Sequence, residues 1–144
     1  RGKIDMISSF YVIEHVEDPV QFLKDGYDLL KEGGSMYIET NNLNDILMEL
    51  ESKEYERFFY RTAHLWYFDS TTLKKASEMA GFSNAFVSFR QIFDLSNAML
   101  WLRDGVPTGN SKLKFLDSRI NSSWATFLES TGMSDTVCIE MIKN

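Results

Sequence analysis

The scarcities of this 144-residue chain set its first limits. With one cysteine, an internal disulfide and a cysteine-ligated metal cluster are both excluded. Two prolines cannot build a proline-rich linker, and no repeat or low-complexity tract divides the sequence, so one domain over residues 1–144 is expected. No apolar run approaches the roughly 20 residues that cross a bilayer. The opening Arg1-Gly2-Lys3-Ile4-Asp5 has no signal-peptide core, which leads to the expectation of a cytoplasmic protein without a membrane partner. Basic residues are outnumbered, 15 Lys and Arg against 21 Asp and Glu for a formal charge of −6, and they form no run, so a nucleic-acid partner is not expected. A small molecule or neutral polymer fits better.

What is present is a 44% hydrophobic fraction patterned as alternating strands and helices. Ile4 to Phe10 is short and apolar and reads as a buried strand. Asp18-Pro19 then opens a helix, with Asp18 as cap, Pro19 at the first helical position and Gln21 at a capping-box-like spacing. Val20, Leu23, Tyr27 and Leu30 share one face, and Gly33-Gly34 is read as the helix stop. Ser35 to Thr40 follows as a second strand, and strand, helix and strand joined this way form a right-handed crossover with the strands parallel.

Leu43, Ile46, Leu47 and Leu50 form a helical stripe running into the charged stretch Glu49 to Glu56, read as a surface helix or lid. An aromatic-crowded segment, Phe58 to Phe68, precedes a helix capped by Asp69-Ser70, running through Met79 and closed by Gly81, with Phe82 folding back against it. Ala85 to Phe93 and Thr136 to Ile142 alternate as strands, the latter holding Cys138 as a small buried hydrophobe. Between them, Leu95 to Leu102 and Leu113 to Leu128 read as helices, separated by a loop at Gly105 to Asn110.

Two strings, Ile4-Asp-Met-Ile-Ser-Ser-Phe-Tyr-Val-Ile-Glu-His-Val-Glu-Asp-Pro19 and Leu29-Leu-Lys-Glu-Gly-Gly-Ser-Met-Tyr-Ile-Glu39, resemble the fourth strand, fourth helix and fifth strand of class I S-adenosylmethionine-dependent methyltransferases. His64-Leu-Trp-Tyr-Phe-Asp-Ser-Thr-Thr-Leu73 and Ala80-Gly-Phe82 are similar to later segments of that family, and the part after Asn97 resembles members associated with polysaccharide and surface-sugar synthesis. The resemblance implies an α/β fold, a partial Rossmann-like sheet of the fourth to seventh strands with flanking helices, in which Thr136 to Ile142 inserts antiparallel. The chain would then be the C-terminal half of such a domain. It lacks the Gly-x-Gly-x-Gly loop that admits the cofactor, so S-adenosylmethionine is the expected cofactor of the parent protein and binds this chain weakly or not at all.

The same resemblance implies a methyl transfer to a hydroxyl of a sugar or other small acceptor. Ligands of such sheets sit beyond the carboxyl ends of the strands, which makes Ser9, Phe10 and Tyr11 cofactor-side candidates, although Phe10 also suits the core. His15 is the general-base candidate, because an imidazole titrates near neutral pH; alternatively it orders the turn before Asp18. Asn42 faces substrate or caps a helix. His64 and Tyr67, with Tyr60 and Trp66, line a sugar site or pack a lid. Quinone-biosynthesis relatives carry Glu-x-x-Glu-His around a divalent metal; here Tyr11 stands at the first glutamate, and Glu14 with His15 is a poor magnesium pair, so no metal is expected. The alternative function is a non-catalytic half-domain. Its unpaired strand Ile4 to Phe10 would mediate homodimerisation.

Overall fold

Among the residues that the computed structural model describes, 2–109 and 111–144, the chain forms β1 (Ile4–Phe10), α1 (Pro19–Leu29), β2 (Leu30–Asn41), α2 (Ile46–Glu49), α3 (Lys53–Phe59), α4 (Ser70–Ala80), β3 (Asn84–Arg90), α5 (Leu95–Asp104), α6 (Ser118–Thr131) and β4 (Thr136–Ile142). The four strands make one sheet in the order β1-β2-β4-β3. β1 and β2 are parallel, as a crossover through α1 requires, and β4 runs antiparallel to both β2 and β3. The expected antiparallel insertion of the last strand is therefore present. No helix of the described residues is long and apolar enough to cross a membrane.

Strand alternation divides the side chains between two faces. Ile7, Met36, Ile38, Val137, Ile139, Met141 and Val87 lie on one face and meet Leu23 of α1 with Leu73, Ala76 and Ala80 of α4, forming the main core. Both helices are capped as their sequences direct. Asp18 accepts from the Gln21 N–H at 2.9 Å, and Asp69 and Thr72 form a reciprocal capping box. Phe82 follows the left-handed Gly81, is 1% exposed and meets Tyr27 edge-on at 5.0 Å. Met6, Phe10 and Phe86 stand on the opposite face and remain 61%, 52% and 62% exposed. A smaller cluster of Leu47, Tyr55, Phe59, Ala98 and Trp101 joins α2, α3 and α5.

Several expected boundaries move. The glycine pair does not stop α1, which ends at Leu29 as Leu30 turns extended and becomes fully buried. Gly33 and Gly34 serve a bulge in β2, where the step from Ile4 to Met6 on β1 is matched by Leu30 to Ser35. Gly33 has φ 76°, and a Cβ on Gly34 would lie 3.0–3.1 Å from the carbonyl oxygens of Lys31, Asp5 and Ile4. The stripe after Leu43 is two short helices, broken at Glu51 with φ 52°. β3 stops at Arg90 instead of Phe93, α5 runs to Asp104, and α6 starts at Ser118, where Asp117 accepts from the N–H groups of Arg119 and Ile120. Asn110, the end of the expected loop, lies outside the described residues.

Candidate functional site

The carboxyl ends of β1, β2 and β3 and the start of β4 fall on one edge of the sheet, because β4 alone is reversed. That edge delivers Tyr11, Asn41, Asp135 and Thr136 to the floor of a cavity of about 470 Å³. Its wall is aromatic, built from Tyr55, Phe58 and Phe59 of α3, Phe93 before α5 and Trp101 within it, with Arg61 and His64 contributed by the following loop. Such a lining, mostly apolar with a few convergent polar groups, is the usual character of a small-molecule site.

Tyr11 leaves β1 with φ 54°, a left-handed conformation unusual for a side-chain-bearing residue and enriched where a site over-determines the backbone. Its N–H donates to Glu39 O at 2.9 Å and its phenol lies 2.9 Å from Thr136 Oγ1. Thr136 in turn donates to Asp135 Oδ1 at 2.8 Å. Asp135 also accepts from the N–H groups of Ile92 and Phe93. Burial nevertheless pushes its carboxyl above the ordinary carboxylate range, and burial likewise raises the Tyr11 phenol. Beside them Arg90, at the end of β3, pairs with the buried Glu39.

A second cluster adjoins this floor. Glu14 is 2% exposed; its Oε2 accepts from Thr40 Oγ1 at 2.9 Å, and its Oε1 is buried without a partner. His15 Nδ1 lies 2.7 Å from Ala63 O, and since a carbonyl only accepts, this nitrogen carries the proton and leaves Nε2 open. The His64 ring meets His15 edge-on at 4.8 Å, and its Nδ1 is buried without a partner. Burial, then the nearby Arg61, lowers the His64 pKa below its ordinary value, which favours the neutral ring. One donor atom each from Glu14, His15 and His64 lie within 4.8 Å of one another, close enough to hold a metal ion. Counting donors along the sequence left Glu14 and His15 alone; the loop after α3 brings the third.

The structure spreads the sequence candidates over different settings. Tyr11 and His64 face the cavity, whereas Phe10 sits on the open sheet face, 6.1 Å from Tyr37. Ser9 carries a buried, unpartnered Oγ on the core side of β1. His15 fastens its turn to the aromatic loop, alongside Trp66 Nε1, which donates to Val16 O. Asn42 is not presented to the cavity. It is fully buried, donates to Gly132 O and Ser134 O at 2.9 and 2.8 Å, and is displaced from the site by its neighbour Asn41. Tyr67 packs behind His64, tilted against Phe59 and edge-on to Tyr60, and donates to Arg61 O. Asp135 and Thr136 escaped the sequence reading, since nothing local distinguishes them from the first residues of any strand.

Known proteins share this fold. The methyltransferase domain family matches residues 1–85. A solved S-adenosylmethionine-dependent methyltransferase from Thermotoga maritima, described as a possible histamine N-methyltransferase, superposes with a TM-score of 0.64 at 21% identity over 99% of this chain and 57% of its own. A second, from Archaeoglobus fulgidus, gives 0.57 at 16% identity over 97% and 59%. A 38-residue stretch is 53% identical to the ubiquinone biosynthesis O-methyltransferase of Parvibaculum lavamentivorans, covering 26% of this chain and 15% of that enzyme. The chain thus spans little more than half the length of the two solved structures. With the family pattern running through the whole parallel part of the sheet and the site edge it forms, this chain belongs to the methyltransferase domain family.

Proposed function

We propose that the chain forms the acceptor side of an S-adenosylmethionine-dependent methyltransferase, which transfers the methyl group to a hydroxyl of a sugar or other small ring compound. The aromatic cavity at the carboxyl edge of the sheet carries this reading, because in open α/β sheets that edge is where ligands bind. The exposed rings of Phe58 and Phe93, backed by the buried Tyr55, Phe59 and Trp101, suit a ring, and Asn41, Arg61 and Asp135 offer polar contacts to its substituents. The short stretch shared with a ubiquinone O-methyltransferase supports an oxygen acceptor without favouring a sugar over a phenol. The cofactor supplies the electrophilic methyl; this chain holds the acceptor, orients its oxygen and takes its proton.

The chain has no strand followed by Gly-x-Gly-x-Gly, so the parent protein would supply the cofactor cradle beside β1. Calorimetry on that parent is expected to show S-adenosylmethionine binding at micromolar levels, against weak or no binding by residues 1–144; silence from the parent would end the proposal. The exposed edge of β1 suits a second copy in the alternative, non-catalytic reading, and a strictly monomeric chain in light scattering would remove that reading.

A divalent ion fits the Glu14–His15–His64 cluster. Two buried donor atoms there are unpartnered, and the proton on His15 Nδ1 directs the lone pair of Nε2 away from Ala63. Such an ion would polarise an acceptor oxygen as a Lewis acid. Two imidazoles and one carboxylate favour zinc or another transition ion over magnesium. Zinc titration is expected to saturate at one ion per chain and to raise the melting temperature, with both effects lost in His64→Ala; equal stabilisation of that variant would exclude the site.

A further inference from the structure

Tyr11, Thr136 and Asp135 come from opposite ends of the sequence and meet at the cavity floor, where their three polar groups form one directed chain. The direction follows from proton counting. A threonine hydroxyl has one proton, and that of Thr136 is given to Asp135 Oδ1 at 2.8 Å. The 2.9 Å contact between Tyr11 and Thr136 must therefore run the other way, with the phenol donating and Thr136 Oγ1 accepting. Tyr11 Oη is left with lone pairs only, one of them toward the Arg90 guanidinium and the other for a further partner. An acceptor hydroxyl seated against it in the cavity must donate to it.

We propose that this chain is a proton relay, carrying the proton of the acceptor hydroxyl through Tyr11 and Thr136 to the carboxylate of Asp135. The proposal rests on the methyltransferase reading given above. In the step, a lone pair of the acceptor oxygen forms the bond to the methyl carbon, and the electrons of the breaking carbon–sulfur bond stay on sulfur. As the acceptor O–H weakens, its proton passes to Tyr11 Oη while, in the same concerted shift, the phenol proton moves to Thr136 Oγ1 and the threonine proton to Asp135, which ends neutral. One carboxylate charge is lost and one sulfonium charge is lost, so the balance closes with no other reactant.

The surroundings suit these roles. Burial keeps Tyr11 protonated at neutral pH, so it conducts a proton without storing charge, and burial gives Asp135 a higher proton affinity than an exposed carboxylate. Arg90 from β3, paired with Glu39 from β2, hydrogen-bonds the phenol; Asp45 ahead of α2 adds negative charge near Asp135; and Arg61 and His64 line the same cavity. The left-handed backbone at Tyr11 is what turns its ring from the sheet toward Thr136.

Two measurements decide it. In the active parent protein, Thr136→Val is expected to lower kcat about 10²-fold, the scale of a lost general base, with both KM values within twofold. Thr136→Ser, which returns the hydroxyl, should recover most of the rate, and Asp135→Asn should abolish the acid limb of the pH profile. In residues 1–144 alone, carbon NMR of the Asp135 carboxyl should show its titration midpoint rising in Thr136→Val, because a donor to the charged form is gone. An unmoved midpoint, or a valine variant with full kcat, overturns the relay. Absence of cofactor binding by the wild-type parent overturns the methyltransferase reading and the relay with it, whereas a failed relay leaves cofactor binding intact.

Discussion

Replacing Asn42 with alanine should destabilise the chain by about 2–4 kcal/mol and lower its melting temperature by roughly 10 °C, without acting through an acceptor. The sequence allowed Asn42 a substrate contact, but its side chain is 0% exposed and fully used. The amide nitrogen holds Gly132 O and Ser134 O, and Oδ1 accepts from Asn44 N at 3.2 Å. Alanine leaves the buried Ser134 carbonyl and the partly buried Gly132 carbonyl without that donor, and an unsatisfied buried group costs about 1–3 kcal/mol. Those carbonyls belong to the turn between α6 and β4, so the loss loosens the segment that sets Asp135 and Thr136 in place. Asn42→Asp should be worse, because it sets a carboxylate against the same two oxygens. Urea unfolding of the three proteins reads the ranking directly, and an alanine variant as stable as the wild type would show that Asn42 does not lock this turn.

The difference between what the sequence disclosed and what it hid has a physical basis. β1 and β4 coincide with their expected ranges, but β1, expected to be buried, lies at the sheet edge mostly exposed; the Asp18 and Asp69 caps are read from spacing alone. Gly33-Gly34 misled because a glycine pair after a helical stripe is equally compatible with a helix stop and a bulge. The choice was made by Leu30, whose burial in the core requires the chain to leave the helix early. The cavity was partly legible: Tyr11 follows a strand and His64 belongs to a recognisable string. Asp135 and Thr136 were not, since they reach Tyr11 only through the insertion of β4 between β2 and β3, a contact spanning 125 residues. The metal-competent cluster was missed because it too is non-local, as His64 approaches Glu14 only once Leu65 N and Trp66 N donate to Glu14 O.

Asp45 provides the test in which pH separates wild type from variant. Its carboxyl caps α2, accepting from Leu47 N at 2.9 Å and from the Tyr55 phenol at 2.6 Å, yet it is 3% exposed. Burial dominates these two hydrogen bonds and, with a contribution from the charge on Asp135, pushes the carboxyl up to about 6 from 3.8. A raised acid pKa means that the folded chain binds the proton more tightly than the unfolded one. Between about pH 4 and pH 6 the unfolded state releases that proton first, so the contribution of Asp45 to stability falls as pH rises through the window and stays unfavourable above it. A displacement of roughly two pH units corresponds to ~3 kcal/mol. Asp45→Asn keeps an oxygen for Leu47 N and removes the buried charge, forfeiting part of the gain through a weaker bond to Tyr55. The variant should therefore be about 1–3 kcal/mol more stable than wild type at pH 7, with the difference closing as pH falls to 4. Paired denaturation curves across that range check it, and a constant difference would show that Asp45 remains ionised in the fold throughout.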